Sequence, residues 1–220
     1  MDHFVSIIIP TFNSEKTLNN CLRALFNQTV SGDCYEVIVV DDGSTDNTRE
    51  VVTRYRGKYY YQKNQGPASA RNRGVEIARG ELVLFTDADC EVERNWIEEM
   101  CKPFTDSAVV GAKGIYKTRQ KEIVARFAQL EYEEKFEKMS KDEFIDFVDT
   151  YAAGFRKTIF KQFGGFSTSF REASGEDTDF SFRIAKEGHK MIFVPTAIVY
   201  HQHPNTLKKY FKRKFKTAYW

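Results

Sequence analysis

The 220 residues of this chain predict an α/β fold, a mostly parallel central sheet flanked by helices. Three observations carry that prediction. Short β-branched runs recur through the chain, each is followed by apolar residues at helical spacing, and the most polar residues gather just after the runs end.

The first run, Phe4 to Ile9, closes at Pro10, and the second, Glu36 to Val40, closes at two aspartates; both read as buried strands. Between them Leu18, Cys21, Leu22, Leu25 and Phe26 recur at helical spacing behind the polar starter Asn13-Ser14-Glu15. The alternation then repeats, with a helix over 45–55, a strand over 58–61, a helix over 67–78 begun by Pro67, and a strand over 81–85. After about Lys102 it loosens. A strand over 108–116, a charged helix over 121–138 and an extended stretch over 147–155 are expected there. A turn at Gly164-Gly165, a helix over 178–186 closed by Gly188, and a last strand over 191–194 ending at Pro195 follow. The organisation expected is one catalytic domain over 1–204, with a donor half over 1–102 and a second half over 103–204, and a basic amphipathic helix over 205–220.

Composition narrows the function classes. Lys and Arg number 33 against 31 Asp and Glu, a net charge of +2, which argues against a nucleic-acid partner. The four cysteines form no metal-type pair and follow no secretory signal, so reduced thiols in the cytoplasm are expected. The opening apolar run is too short for a spanning helix, and no other run in this sequence is long enough, which needs about 20 apolar residues. In the last segment Leu207, Phe211, Phe215 and Tyr219 stand four apart with six cations between them. That pattern fits either an anionic membrane surface or an aromatic face packed on the domain.

Ligands in sheets of this kind sit at the carboxyl ends of the strands, where Thr11, Asp41, Asp42, Asp87 and Asp89 stand. Asp87-Ala88-Asp89 places two carboxylates on one face where a strand ends, suited to a divalent cation shared with phosphates. Solvated helix-capping aspartates would look the same. Asp42 closes a buried strand and is placed to accept a nucleobase N–H, whereas Ser44 and Asp46 also suit ordinary capping. Gly66 and the small residues after it leave room for a phosphate or base at a helix start, with Arg71 as a positive fork or as a plain exposed arginine. Asp177 and Glu176 open a helix, and simple N-terminal charge there is the plainer reading.

Five motifs in order, Val5 to Asn13, Val39 to Asp46, Asn64 to Asn72, Phe85 to Asp89 and Gly175-Glu176-Asp177, resemble the family 2 glycosyltransferases of GT-A fold. The resemblance covers nearly the whole chain. It implies transfer of a single sugar, with inversion, from a nucleotide diphosphate donor, with UDP the expected nucleotide, to an acceptor hydroxyl on a glycan or lipid-linked molecule. By that resemblance Pro10, Thr11 and Phe12 would line base and ribose, Asp42 would bind the base, and Glu15, Gly66 and Arg71 would complete the donor site. Asp87 would lie near ribose or metal, Asp89 would bind Mn2+ or Mg2+, and Asp177 would be the catalytic base with Glu176 on the acceptor side. His201 is a further metal candidate, and a structural histidine is the competing reading for it and for His203. Ala152-Ala153-Gly154 departs from the asparagine or cysteine frequent in the family, and no arginine-tryptophan signature of processive synthases is evident.

Two other enzyme classes share parts of these patterns. Leu82 to Asp89 also fits a haloacid dehalogenase-like phosphatase, although there the aspartate pair follows the first strand. A dinucleotide oxidoreductase lacks its glycine fingerprint after the first strand, where Pro10 to Asn13 stands. A non-catalytic nucleotide-sugar binding subunit shares every donor feature and differs only at Asp177.

Overall fold

A computed structural model describes residues 3–170 and 175–219, the last four as backbone; Trp220, which closes the helix expected over 205–220, lies outside the described residues. Eight strands form one sheet: β1 (Val5–Thr11), β2 (Tyr35–Asp41), β3 (Lys58–Tyr61), β4 (Leu82–Phe85), β5 (Glu91–Val92), β6 (Val109–Lys117), β7 (Ala153–Arg156) and β8 (Lys190–Tyr200). Their order is β3-β2-β1-β4-β7-β6-β8-β5. The first four strands pair in parallel. β7 is antiparallel to both β4 and β6, and β6 and β8 are parallel.

Ile7, Ile8 and Ile9 are fully buried, because β1 lies between β2 and β4 with helices on the faces of the sheet. Such two-sided burial explains the unbroken apolar runs. Pro10 is tolerated inside β1 for a specific reason. The Ile8 carbonyl accepts from Thr86 N on the β4 side, so Pro10, two residues on, turns its nitrogen the same way but beyond the end of β4. The helices on this half are α1 (Leu18–Leu25), α2 (Thr48–Val52) and α3 (Pro67–Ile77). Gly74 lets α3 lie against β1, since a Cβ there would stand 2.4 Å from Ile8 Cγ2.

The second half adds α4 (Trp96–Cys101), α5 (Ile123–Met139), α6 (Lys157–Gln162), α7 (Glu176–Lys186) and α8 (Leu207–Tyr219). Rings of Phe85, Phe155, Phe160, Phe166 and Phe180 pack at centroid distances of 4.7 to 6.3 Å and seat α7 on the sheet.

Several expectations are corrected. The helix expected over 45–55 is only α2, because Asp41, Asn13 and Asp46 hold the 44–48 amides in a turn instead. The last strand does not end at Pro195 but runs on to Tyr200, since its ladder to β6 breaks between Phe193 and Ile198 and Pro195 falls in that irregularity. α7 starts at Glu176, two residues earlier than expected, so Glu176 and Asp177 form its first turn behind Gly175 at φ 105°. β5, α4 and α6 are too short to show a period. No helix among the described residues is long and apolar enough to cross a membrane.

Candidate active site

The carboxyl ends of β1, β2 and β4 open onto a cleft of about 1080 Å³, lined by Pro10, Thr11, Phe12, Glu15, Asp42, Gly66, Arg71, Asp87, Asp89 and His201. All eight residues expected to hold the donor and both expected metal ligands are thus brought together. Phe12 presents a half-exposed ring, and Thr11 Oγ1 is buried with no partner.

Asp42 is buried and has a second use. Its carboxylate accepts from Gln62 Nε2 at 2.7 Å, Gln65 N at 2.9 Å and Gly66 N at 2.8 Å, fixing the loop that leads into α3. That loop turns at Gly66, whose φ of 92° suits glycine. Asp41 accepts from Tyr59 Oη and Ser44 N, and so holds the following turn. Glu15 and Asp46 are tied across the cleft rim by Glu15 N to Asp46 and Asn47 N to Glu15.

After β4 the chain turns tightly, with Cys90 N donating to Asp87 O, and enters β5. β5 pairs with the end of β8, Glu91 opposite Tyr200, and this juxtaposition sets Asp89 against His201. The two side chains meet at 2.8 Å between Asp89 Oδ2 and His201 Nε2. Burial alone would raise the Asp89 carboxyl, but the hydrogen bond and charge of His201 hold it below its ordinary value. His201 Nδ1 is buried without a partner. With Cys90, these groups place three potential ligand atoms within 4.8 Å of one another. Burial, reinforced by Asp87 and Asp89, pushes the Cys90 thiol well up, and Asp89 and His201 supply the oxygen and nitrogen donors of the group. That donor set fits Mn2+, and fits Mg2+ less well because of the imidazole nitrogen.

Arg71 is not an exposed arginine. Its guanidinium is buried, with Nη2 to Asp87 Oδ1 at 2.8 Å and Nη1 to Glu176 Oε1 at 2.9 Å, the latter 105 residues further along the chain. Arg71 and Asp87 also line a second cavity of about 420 Å³, which holds Glu176, Asp177, Lys135 and Arg213. The two cavities therefore share the Arg71–Asp87 wall. Asp177 sits in the first turn of α7, accepting from Thr178 N at 2.8 Å and Thr150 N at 3.4 Å.

Sequence reasoning missed a buried ion pair beside this second cavity, whose lining includes Asp149 and Tyr151. Lys113, wholly buried in β6, meets the Asp149 carboxylate, and Tyr151 Oη lies 3.3 Å away. Burial drives the Lys113 ammonium well below its ordinary pKa. Lys135 approaches the other Asp149 oxygen at 3.6 Å and is held down to about 8 by burial. The signal was a single lysine inside the apolar run of β6. His203 is buried at the second cavity, with Nε2 2.9 Å from Gln129 Oε1. Arg183 does more than pair with Asp179, since it also donates to the Phe163 and Gly165 carbonyls. Gly154 has a packing reason to be small: a Cβ there would lie 2.7 Å from Leu84 Cδ2.

Comparison with known proteins agrees with this architecture. Residues 6–164 match the family model described as glycosyl transferase family 2. The glycosyltransferase AglE of Haloferax volcanii is 38% identical over 101 residues, 43% of this chain and 33% of that protein. A dolichyl N-acetyl-alpha-D-glucosaminyl phosphate 3-beta-D-2,3-diacetamido-2,3-dideoxy-beta-D-glucuronosyltransferase of Methanococcus voltae is 26% identical over 228 residues, 96% of this chain and 70% of that one. The solved structure of mannosyltransferase PcManGT from Pyrobaculum calidifontis, in complex with GDP-Man and Mn2+, shares the fold at TM-score 0.74 and 23% identity, covering 98% of this chain and 65% of that chain. This chain therefore spans about a third of AglE and two thirds of the mannosyltransferase. The match over most of the domain sets aside the phosphatase and oxidoreductase alternatives: the chain belongs to glycosyl transferase family 2.

Proposed function

We propose that this chain transfers a single sugar, with inversion, from a nucleotide diphosphate donor held in the larger cleft to an acceptor hydroxyl in the smaller cavity. The observation that carries the reading is the shared Arg71–Asp87 wall, which puts Asp89 and His201 on one side and Asp177 on the other. A donor lying along the larger cleft would present its anomeric carbon near that wall. The nucleobase and ribose would lie among Pro10, Thr11, Phe12 and Asp42, with the Phe12 ring offering a stacking face. Glu15 and Gly66 would complete that surface.

Asp89 and His201 would hold Mn2+, which supplies neutralisation of the charge developing on the departing nucleotide diphosphate. Arg71 holds Asp87 and Glu176 in fixed positions, so the donor-side and acceptor-side carboxylates keep their spacing. Asp177, oriented by Thr150 N and Thr178 N, would accept the proton of the acceptor hydroxyl as that oxygen attacks. Attack from the face opposite the leaving group inverts the anomeric centre. The mannosyltransferase complex with GDP-Man and Mn2+ supports a nucleotide-sugar donor and that ion. UDP remains the nucleotide proposed here.

The acceptor proposed is a glycan or lipid-linked hydroxyl. The basic α8 helix is proposed to contact an anionic membrane surface, which would place the enzyme at the cytoplasmic face of a membrane. Turnover of UDP-, GDP- and dTDP-sugars with Mn2+, with and without EDTA, tests the reading. A UDP-sugar is expected to turn over and to stop with EDTA; metal-independent turnover removes the role given to Asp89 and His201.

A further inference from the structure

α8 packs onto the domain with its polar side rather than its aromatic one. Tyr210 Oη donates to Glu131 Oε1 on α5 at 2.9 Å, Lys214 Nζ pairs with the same oxygen at 2.8 Å, and Arg213 reaches Tyr132 Oη at 3.4 Å. Tyr210, Arg213 and Lys214 thereby wall the cavity that holds Asp177. The apolar stripe Leu207, Phe211 and Phe215 is left facing solvent, and α5 does the same with Ile123, Phe127 and Leu130. These six side chains are 54% to 86% exposed, unusual for large apolar groups in two neighbouring helices. The stripes adjoin: the Phe127 and Tyr210 rings are 5.8 Å apart, and Tyr210 and Phe211 5.6 Å.

We propose that α5 and α8 together form one docking face for an anionic lipid bilayer, and that docking fixes the α8 wall of the acceptor cavity against the headgroup plane. The acceptor would accordingly be a membrane-embedded lipid-linked molecule. This rests on reading the Asp177 cavity as the acceptor site.

Charge identifies the occupant. Six of the chain's 33 cations fall within the 13 residues of α8, and none of its 31 acidic residues does. At about 100° per residue, Leu207, Phe211 and Phe215 span some 80° of the helix, and Lys208 and Lys212 come next round it. An apolar stripe bordered by cations suits a helix lying roughly 5–10 Å deep in the headgroup boundary of an anionic bilayer. A second copy of the chain is disfavoured, because a two-fold interface on this face would bring two such cationic helices together.

The test is vesicle co-sedimentation of the full chain on phosphatidylcholine alone and on phosphatidylcholine mixed with phosphatidylglycerol, alongside donor hydrolysis to water in solution. The wild-type chain is expected to partition onto the anionic vesicles only. Phe211→Ser with Phe215→Ser, Ile123→Ser with Leu130→Ser, and Lys208→Glu with Lys212→Glu should each weaken that binding about tenfold, and none should change donor hydrolysis. If the α5 pair binds vesicles like the wild type, the joint face is wrong. Absence of vesicle binding by the wild type overturns docking altogether. So does a concentration-dependent dimer in solution that the Ser variants dissolve, since the face would then belong to a second copy. Should vesicles bind while no nucleotide sugar of the panel is either bound or hydrolysed, the docking face stands and the nucleotide-sugar donor reading falls.

Discussion

The two sides of the Arg71 guanidinium are built differently. On the donor side, the cleft is made by residues at the ends of three adjacent parallel strands and by loops hydrogen-bonded to them, so the position of each group follows from strand register. On the acceptor side, the cavity is put together from α5, the 147–151 segment, α7 and α8, which are remote in sequence and seated by buried charges and rings. The proposed nucleotide recognition would thus be locked into the topology of the sheet. The proposed acceptor recognition would hang on a few side chains and helices that can change while the sheet stays as it is.

The strongest break between the two sides is expected at Asp177. Asp177→Asn should lower transfer by about 10² to 10⁴, the range of a lost general base, while donor affinity measured by calorimetry is unchanged. The substitution keeps the size of the side chain and still accepts a hydrogen bond from Thr178 N. If transfer and donor hydrolysis persist at the wild-type rate, Asp177 is not the base that takes the acceptor proton.

Next in size is the joint between the sides. Arg71→Met removes the buried guanidinium that Glu176 and Asp87 share, a loss of about 3–5 kcal/mol by the usual cost of halving a buried ion pair. In a chain of this length that corresponds to a fall in Tm of roughly 10 °C or more. Adding Glu176→Gln should return part of it, because the carboxylate charge that faced the guanidinium is gone. Additive losses for the two substitutions would show that the guanidinium and the Glu176 carboxylate are not coupled.

The same contrast explains what could be read in the sequence. β1, β2, β4 and α3 were legible nearly to the residue, since two-sided burial demands apolar runs and the glycine and proline at 66 and 67 mark a helix start, while the edge strand β3 showed through its run of tyrosines. Thr11, Asp42 and Asp87 could be picked out because they close or follow buried strands, whereas Arg71 lies within α3 and Pro10, Phe12 and Glu15 were named by the resemblance alone. Asp89 and His201 meet only through the pairing of β5 with β8, and a two-residue strand leaves no pattern. Lys113 and Asp149 find one another through tertiary packing alone, and neither spacing nor period announces such a pair. The outward turn of the α8 aromatic stripe was equally hidden, since the spacing marks a face but not what the face meets.

Lys113 offers a sharper probe of the acceptor side. Lys113→Met deprives Asp149 of its buried partner while Lys135 remains at 3.6 Å, so the stability loss should be smaller than at Arg71, about 2 kcal/mol by denaturant titration. Asp149 precedes Thr150, whose amide steadies Asp177, so kcat should fall severalfold with donor Kd unchanged. A matching loss in donor affinity would mean that the two sides are not separable at this point.

The smallest effect is expected at the end of the sheet that faces away from both cavities. Glu36, at the start of β2, is buried and accepts from Ser6 Oγ at 2.7 Å and Arg79 N at 2.7 Å, with Lys58 Nζ at 2.7 Å. Burial alone would raise its carboxyl, but the bonds from Lys58, Ser6 and Arg79 bring it from 4.5 to about 2. A folded-state value below the unfolded one means that the unfolded chain binds more protons between those limits. The stability Glu36 confers is therefore complete above pH 4.5 and is lost as pH falls toward 2. Because Lys58 and Arg79 reach solvent, screening limits that contribution to about 2 kcal/mol. Glu36→Gln should lose this amount in urea at pH 7, flatten the acid limb below pH 4.5, and leave donor turnover untouched. A turnover defect at neutral pH would show that strain at this end of the sheet reaches the cleft, and the donor side would no longer be a rigid consequence of strand register.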